Sequence, residues 1–217
     1  MKPILIVGAG GHGRETAQLI EDINSHVNEW ELLGFLDDNL SLAGKVVKGY
    51  PVIGSLDLLQ QEQYLKYYYV CAIGKSVIRK NIVQRMKMFS SSLKFATLVH
   101  PTAVLGNDVQ IGQGTAICAH TVITTNIEIG NHVIVNYGST IGHDSVIKDF
   151  VTILPGSRIS GNVTLHEGCD IGSGAIILPG QSVGEDSIIG AGAVVTKSIP
   201  SHCTAVGVPA KVIKYHS

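Results

Sequence analysis

No apolar stretch in these 217 residues reaches the ~18 that a helix needs to cross a bilayer. The apolar start PILIVG is too short for the central segment of a secretion signal and runs straight into glycines. Charge of one sign is also missing. Sixteen basic residues face seventeen acidic ones with no run of either, so nothing here would grip a phosphate backbone or an anionic lipid face, and nucleic acid is excluded as a partner. Cysteine is sparse. Cys71, Cys118, Cys169 and Cys203 lie far apart, in no CxxC pair and no zinc spacing, which reads as four buried free thiols of a protein kept in a reducing cytoplasm. What is present is a 45% apolar chain, enough to bury a substantial core.

Up to about Phe95 short apolar runs alternate with helical patterns. PILIVG, ELLGFLDD and YYYVCAIG read as strands; HGRETAQLIEDI sets Ala17, Ile20 and Ile23 on one helical face. SLDLLQQE reads as a short helix capped by Ser55, and SVIRKNIVQRMKMF as a second long one. This alternation implies a small parallel sheet covered by helices.

After His100-Pro101 the helical period vanishes and a period of six replaces it. Every sixth position from Leu105, through Ile111, Ile117, Ile123, Ile129, Val135, Ile141, Ile147, Ile153, Ile159, Leu165, Ile171, Ile177, Val183, Ile189 and Val195, is Leu, Ile or Val. The position two before is mostly small or Val, and glycine often follows. A fixed short repeat is the mark of a solenoid. One inward aliphatic per hexad, then a corner, builds a three-sided prism with three hexads per coil, and stacking the coils joins the aliphatics into one core. Handedness is not contained in the pattern.

The hexads and the ending SIPSHCTAVGVPAKVIK resemble the hexapeptide-repeat acyltransferases. The N-terminal GAGGHG, the LDD at 36–38 and the AIG at 72–74 narrow the resemblance to sugar acyltransferases of the NeuD and PglD type. It implies an α/β half-Rossmann-like domain over residues 1–98, binding a nucleotide sugar, and an all-β left-handed parallel β-helix with a C-terminal tail over 99–217. It also implies a cytoplasmic homotrimer that uses acetyl-CoA and no metal, acting in surface polysaccharide or glycan biosynthesis.

Within the repeat, His143 and Asp144 stand together where neither serves packing. Adjacent strand residues point to opposite faces, so the pair can cooperate only at a bend. Eighteen residues on either side lie Thr125 and Gly161, both small, leaving free space beside the imidazole. A neutral imidazole backed by a carboxylate can take the proton of an amine or hydroxyl attacking a thioester. In the family the histidine is the general base, the following acid its support, and an asparagine seven residues earlier helps position the reacting groups: His143, Asp144 and Asn136 here. Donor contacts map to Thr152, Gly161, Ser173 and Ala191, the last three expected along one edge of the prism. Thr152 replaces a histidine usual in PglD-type enzymes; its hydroxyl can still donate a hydrogen bond to the thioester but cannot titrate near neutrality.

GAGGHG also satisfies G-x-G-x-x-G through Gly8, Gly10 and Gly13. A helix N-terminus there would receive phosphate, and an acid closing the next strand a ribose or base. The family's nucleotide contacts map to Gly10, Gly11, His12, Asp37, Asp38 and Gly74. Two further readings use the same residues: an NAD-dependent oxidoreductase with the repeat as a trimerisation scaffold, and a non-catalytic binding trimer. About ninety-five residues before the repeat are too few for a full dinucleotide domain. A zinc hydratase is disfavoured, because His120 and His132 are twelve residues apart, two faces of one coil and not a stack. His166, His202 and His216 read as surface residues.

Overall fold

The computed structural model describes residues 1–216; the last residue of the domain expected over 99–217 lies outside them. The chain divides into two compact units, Met1–Gly74 with Ile78–Pro101, and Lys75–Val77 with Thr102 onward.

The first unit opens with β1 (Lys2–Val7), whose Ile4, Leu5 and Ile6 are fully buried. A glycine turn leads into α1 (Gly11–Asn24), which buries Ala17, Leu19, Ile20 and Ile23 on one face. β2 (Trp30–Leu36) returns parallel to β1. Then come β3 (Val46–Val47) and β4 (Tyr50–Gly54), an antiparallel hairpin that the sequence reading missed. Its two-residue loop, Lys48-Gly49, has φ of 50° and 84°, the left-handed pair that a tight hairpin requires. The short helix expected after Ser55 is split into a 3₁₀ turn (Leu56–Gln60) and α2 (Glu62–Leu65); Ser55 does cap it, accepting from the Asp57 N–H at 3.3 Å. β5 (Tyr68–Cys71), α3 (Ser76–Phe89) and β6 (Lys94–Phe95) complete a sheet in the order β3-β4-β2-β1-β5-β6. Apart from β3 it is parallel, so the strand ends carrying the glycine turn and Asp37 share one edge of the sheet.

The second unit is the left-handed parallel β-helix. Each hexad contributes a strand of two or three residues, and residues eighteen apart pair in parallel, as in Ile117↔Val135↔Ile153↔Ile171↔Ile189. From Ile117 to Val195 every hexad aliphatic is at most 3% exposed. Leu105 and Ile111 depart from the expected core: Leu105 is 39% exposed, because no coil precedes the first one to cover it. The small residues two before each aliphatic line the inside of the corners. Thr115, Ser139, Ser145 and Ser157 are fully buried, and each hydroxyl donates to a carbonyl fifteen residues on, so their polarity costs little. Strand Cys203–Val206 pairs with Ile188–Ile189 and folds back on Lys211–Tyr215, which closes the far end of the stack.

All four cysteines are buried and free, and burial pushes the Cys71 thiol up to about 12. Among the described residues no helix is long and apolar enough to cross a membrane.

Candidate functional site

The coil turns between strands Thr140–Ile141 and Val146–Ile147, and His143 and Asp144 occupy that turn. Asp144 has φ of 60°, and this left-handed kink aims its carboxylate back at the preceding ring. His143 Nδ1 lies 2.7 Å from Asp144 Oδ2. A carboxylate offers only acceptors, so Nδ1, which faces it, carries a proton, and in the neutral ring the lone pair is then on Nε2. The imidazole is 64% exposed, as a group that meets a ligand must be. It lies over Gly161, where a β-carbon would come 2.6 Å from Nε2, so the free space expected from a small residue eighteen positions on is needed by the ring itself. On the other side the Asp144 N–H bonds the Thr125 carbonyl at 3.2 Å. The bond from Asn126, then that from His143, holds the Asp144 carboxyl below the usual carboxylate range.

Other expected residues are not gathered at this corner. Asn136 is buried, its Oδ1 accepting from the Tyr137 N–H at 3.0 Å, and it occupies the preceding corner of the same coil. Strand Thr140–Ile141 separates it from His143. Ser173 and Ala191 are exposed and stack eighteen residues apart on the corner that carries Tyr137. The expectation that Gly161, Ser173 and Ala191 share one edge is therefore corrected. Twelve residues from 161 to 173 are two hexads, which carry the chain to another corner. Thr152 is 2% exposed and lies in a strand between Ile134 and Asp170, off the corner that presents His143. His166 and His202 are exposed as expected; His216 is half-buried, with Nε2 2.8 Å from the Thr204 hydroxyl. His120 is exposed at one corner and His132 buried at another, stacked on Phe150 at 5.1 Å.

In the first unit the glycines separate by role. A β-carbon at Gly13 would meet the Gly8 carbonyl oxygen at 2.0 Å, and one at Gly8 would strike Ile73, so both are glycine for packing. A β-carbon built on Gly10 or Gly74 would meet nothing within 4 Å, and one on Gly11 only the tip of Arg14, so the side-chain positions of these three border open space. Helix α1 has no side-chain cap and no acid in its first turn, which leaves its leading N–H groups directed at that space. His12 sits there mostly buried. Burial lowers its pKa from the ordinary 6.5, against the partial pull of Glu15 at 3.2 Å. Asp37 is spent on the loop: Oδ2 accepts from the Ala9 N–H and Oδ1 from the Asn39 N–H, both at 2.8 Å. Asp38 accepts from the Leu56 N–H at 3.1 Å and pairs with Arg85 at 2.5 Å. Arg85 also reaches Asp57 at 3.3 Å; its two partnerships, forty-seven residues back to Asp38 and twenty-eight back to Asp57, are signalled by no local pattern. Asp37 and Asp38 border a cleft of about 100 Å³ whose other lining includes Val7, Leu36, Ile73 and Ile82.

Comparison with known proteins agrees with both halves. Residues 3–86 match the family described as PglD N-terminal domain, and 144–179 the bacterial transferase hexapeptide family. The acetyltransferase domain of PglB from Neisseria gonorrhoeae FA1090 superposes with a TM-score of 0.88 at 34% identity, covering 98% of this chain and all of that one. PerB from Caulobacter crescentus, solved with CoA and GDP-perosamine, gives 0.87 at 28% identity over 99% of this chain and 98% of that one. In sequence, GDP-perosamine N-acetyltransferase of Escherichia coli O157:H7 is 36% identical over 148 residues, 68% of this chain, and the match spans 65% of that relative's length. The chain belongs to the PglD/NeuD-type sugar acyltransferases of the hexapeptide-repeat superfamily.

Proposed function

We propose that this protein transfers the acetyl group of acetyl-CoA to the amino group of a nucleotide-linked sugar, with His143 as general base. The observation that carries this reading is the His143 ring itself, exposed, tethered to Asp144 through Nδ1, and backed by a residue with no side chain. The acceptor amine attacks the thioester carbonyl; a C–N bond forms as the C–S bond breaks. His143 Nε2 takes the proton released from nitrogen and returns it to the leaving thiolate, and Asp144 stabilises the imidazolium in between. No covalent enzyme intermediate is required. The relatives named for perosamine acetylation, and the one solved with CoA and GDP-perosamine, support an amine acceptor on a nucleoside diphosphate.

In the first unit, Gly10, Gly11, His12 and Gly74 receive the diphosphate, and Asp38 faces the base or ribose from the cleft. Asp37 holds the glycine loop in shape. Gly161, Ser173 and Ala191 take the pantetheine arm. Their two corners do not meet within one tube, so the reading includes a homotrimer in which His143 and Gly161 of one copy face Ser173, Ala191 and the Asn136 corner of the next. Both substrates are cytoplasmic metabolites, and the product is a building block for surface glycans.

The test is thiol release from acetyl-CoA with GDP- and UDP-linked amino sugars. His143→Ala should lower turnover on the order of 10²- to 10⁴-fold, as loss of a general base does. Unchanged turnover with the true acceptor rejects the base. Selective thermal stabilisation by NADH over UDP, GDP and CoA would favour an oxidoreductase instead.

A further inference from the structure

The corner that carries His143 repeats up the tube with a chemical alternation. Asp108, Asn126, Asp144 and Asn162 succeed one another at eighteen-residue intervals, all left-handed, with φ of 57°, 59°, 60° and 61°. Acid and amide take turns, so no carboxylate lies directly over another. Asn126 Nδ2 donates to Asp144 Oδ1 at 2.6 Å, while Asp144 Oδ2 holds His143 Nδ1 at 2.7 Å. The amide orientation follows from chemistry, because a carboxylate can only accept and the atom facing it must be the nitrogen.

The two oxygens of Asp144 are thus divided between two donors. Asp144 is 51% exposed, and a carboxylate held by one bond on the surface is free to rotate away. A second donor bound to the other oxygen sets its plane. Backbone bonds from the Asp144 N–H to Thr125 and from the Asn126 N–H to Asn107 anchor both residues.

We propose that Asn126 is a positioning residue of the acyl-transfer site: it orients Asp144, and through it holds His143 in the Nδ1–H tautomer that leaves Nε2 open to the acceptor's proton. This rests on the reading of His143 as the base. In this role Asn126 acts through Asp144 and need touch neither substrate. It completes a relay, Asn126 to Asp144 to His143, spanning two coils. Asp108 and Glu128 are the other carboxylates lining the shallow cleft beside it; the following coil contributes Gly161 and Asn162.

The experiment uses the full-length protein, ¹⁵N-labelled at histidine, at a pH where the imidazole is neutral. Two variants tolerate the left-handed backbone: Asn126→Gly removes the amide, and Asn126→Asp keeps its shape but cannot donate. Both should convert the His143 ¹⁵N signals from the Nδ1–H pattern to a mixture of tautomers. Both should also lower kcat roughly 10- to 100-fold, by analogy with the loss of the outer partner that orients a metal-ligating imidazole, with KM for acetyl-CoA unchanged. A space-filling role predicts that Asn126→Asp behaves like the parent. Asn162→Gly, the same kind of backbone change one coil away on the other side, should leave the tautomer alone. An Nδ1–H pattern that persists in both Asn126 variants overturns the proposal. His143→Ala with full turnover would overturn the base and leave the tautomer result standing, so the two failures are distinguishable.

Discussion

A β-carbon built on Gly161 lies 2.6 Å from His143 Nε2 and 2.7 Å from Cε1. Gly161 has no backbone need to be glycine; the imidazole excludes anything larger. Gly161→Ala must therefore turn the ring off its bond to Asp144 or push it out from the tube. Turnover should fall on the order of tenfold or more, as expected when a reacting group is misplaced by about an ångström. Differential scanning calorimetry should meanwhile show a melting temperature close to the parent's. A large drop in Tm with turnover per folded molecule preserved would assign Gly161 to packing alone. The same scale shows what composition conceals. Asp37 and Asp38 are neighbours of one type, yet Asp37 accepts one backbone N–H from the glycine turn and one from its own loop while Asp38 faces Arg85 and the cleft.

At the scale of elements, the turn from β1 into α1 combines two demands that the motif G-x-G-x-x-G merges. Gly8 and Gly13 let strand and helix approach, since a methyl on Gly13 would fall 2.0 Å from a carbonyl oxygen. Gly10 and Gly11 leave the helix N-terminus uncovered. Substitution should separate the roles. Gly13→Ala is expected to destabilise the domain by about 1–3 kcal/mol or more, the usual cost of overpacking, read from urea denaturation. Gly10→Ala should leave that midpoint nearly unchanged and weaken GDP or UDP binding in calorimetry. Equal loss of stability in both variants would reduce the motif to a packing device. In the other unit the repeating element is a two-residue strand and a corner, and its chemistry sits at the corners because the strands are committed to pairing and to the core.

For the molecule as a whole, the eighteen-residue coil distributes the expected site over more than one corner. His143 and Gly161 share one; Asn136, Ser173 and Ala191 belong to another. In the proposed homotrimer, closed symmetry would supply the missing half, a second copy presenting its other corner. Two separately inactive proteins should then rescue each other. His143→Ala lacks the proposed base, and Ala191→Trp would block the proposed donor path at the other corner. Mixed and reassembled, some trimers pair an intact His143 corner with an intact Ala191 corner, and activity should return to a measurable fraction of the parent's. If the mixture stays as inactive as its parts, each tube works alone and the shared site is wrong.

The hexad aliphatics announced the prism from sequence alone, because inward positions of a stacked coil tolerate only residues of one shape and a period of six repeats too often to miss. His143 and Asp144 were legible for a related reason: polar residues inside that frame had no packing task. Asn126 was written at the same eighteen-residue offset but is one amide among several until its bond to Asp144 is seen. Arg85, the Lys48-Gly49 hairpin, and the separation of Gly161 from Ser173 and Ala191 emerged only in three dimensions. Local pattern dictates which way a side chain faces. Which distant groups it meets depends on how helices dock and on where each corner falls around the coil, and those are properties of the folded chain.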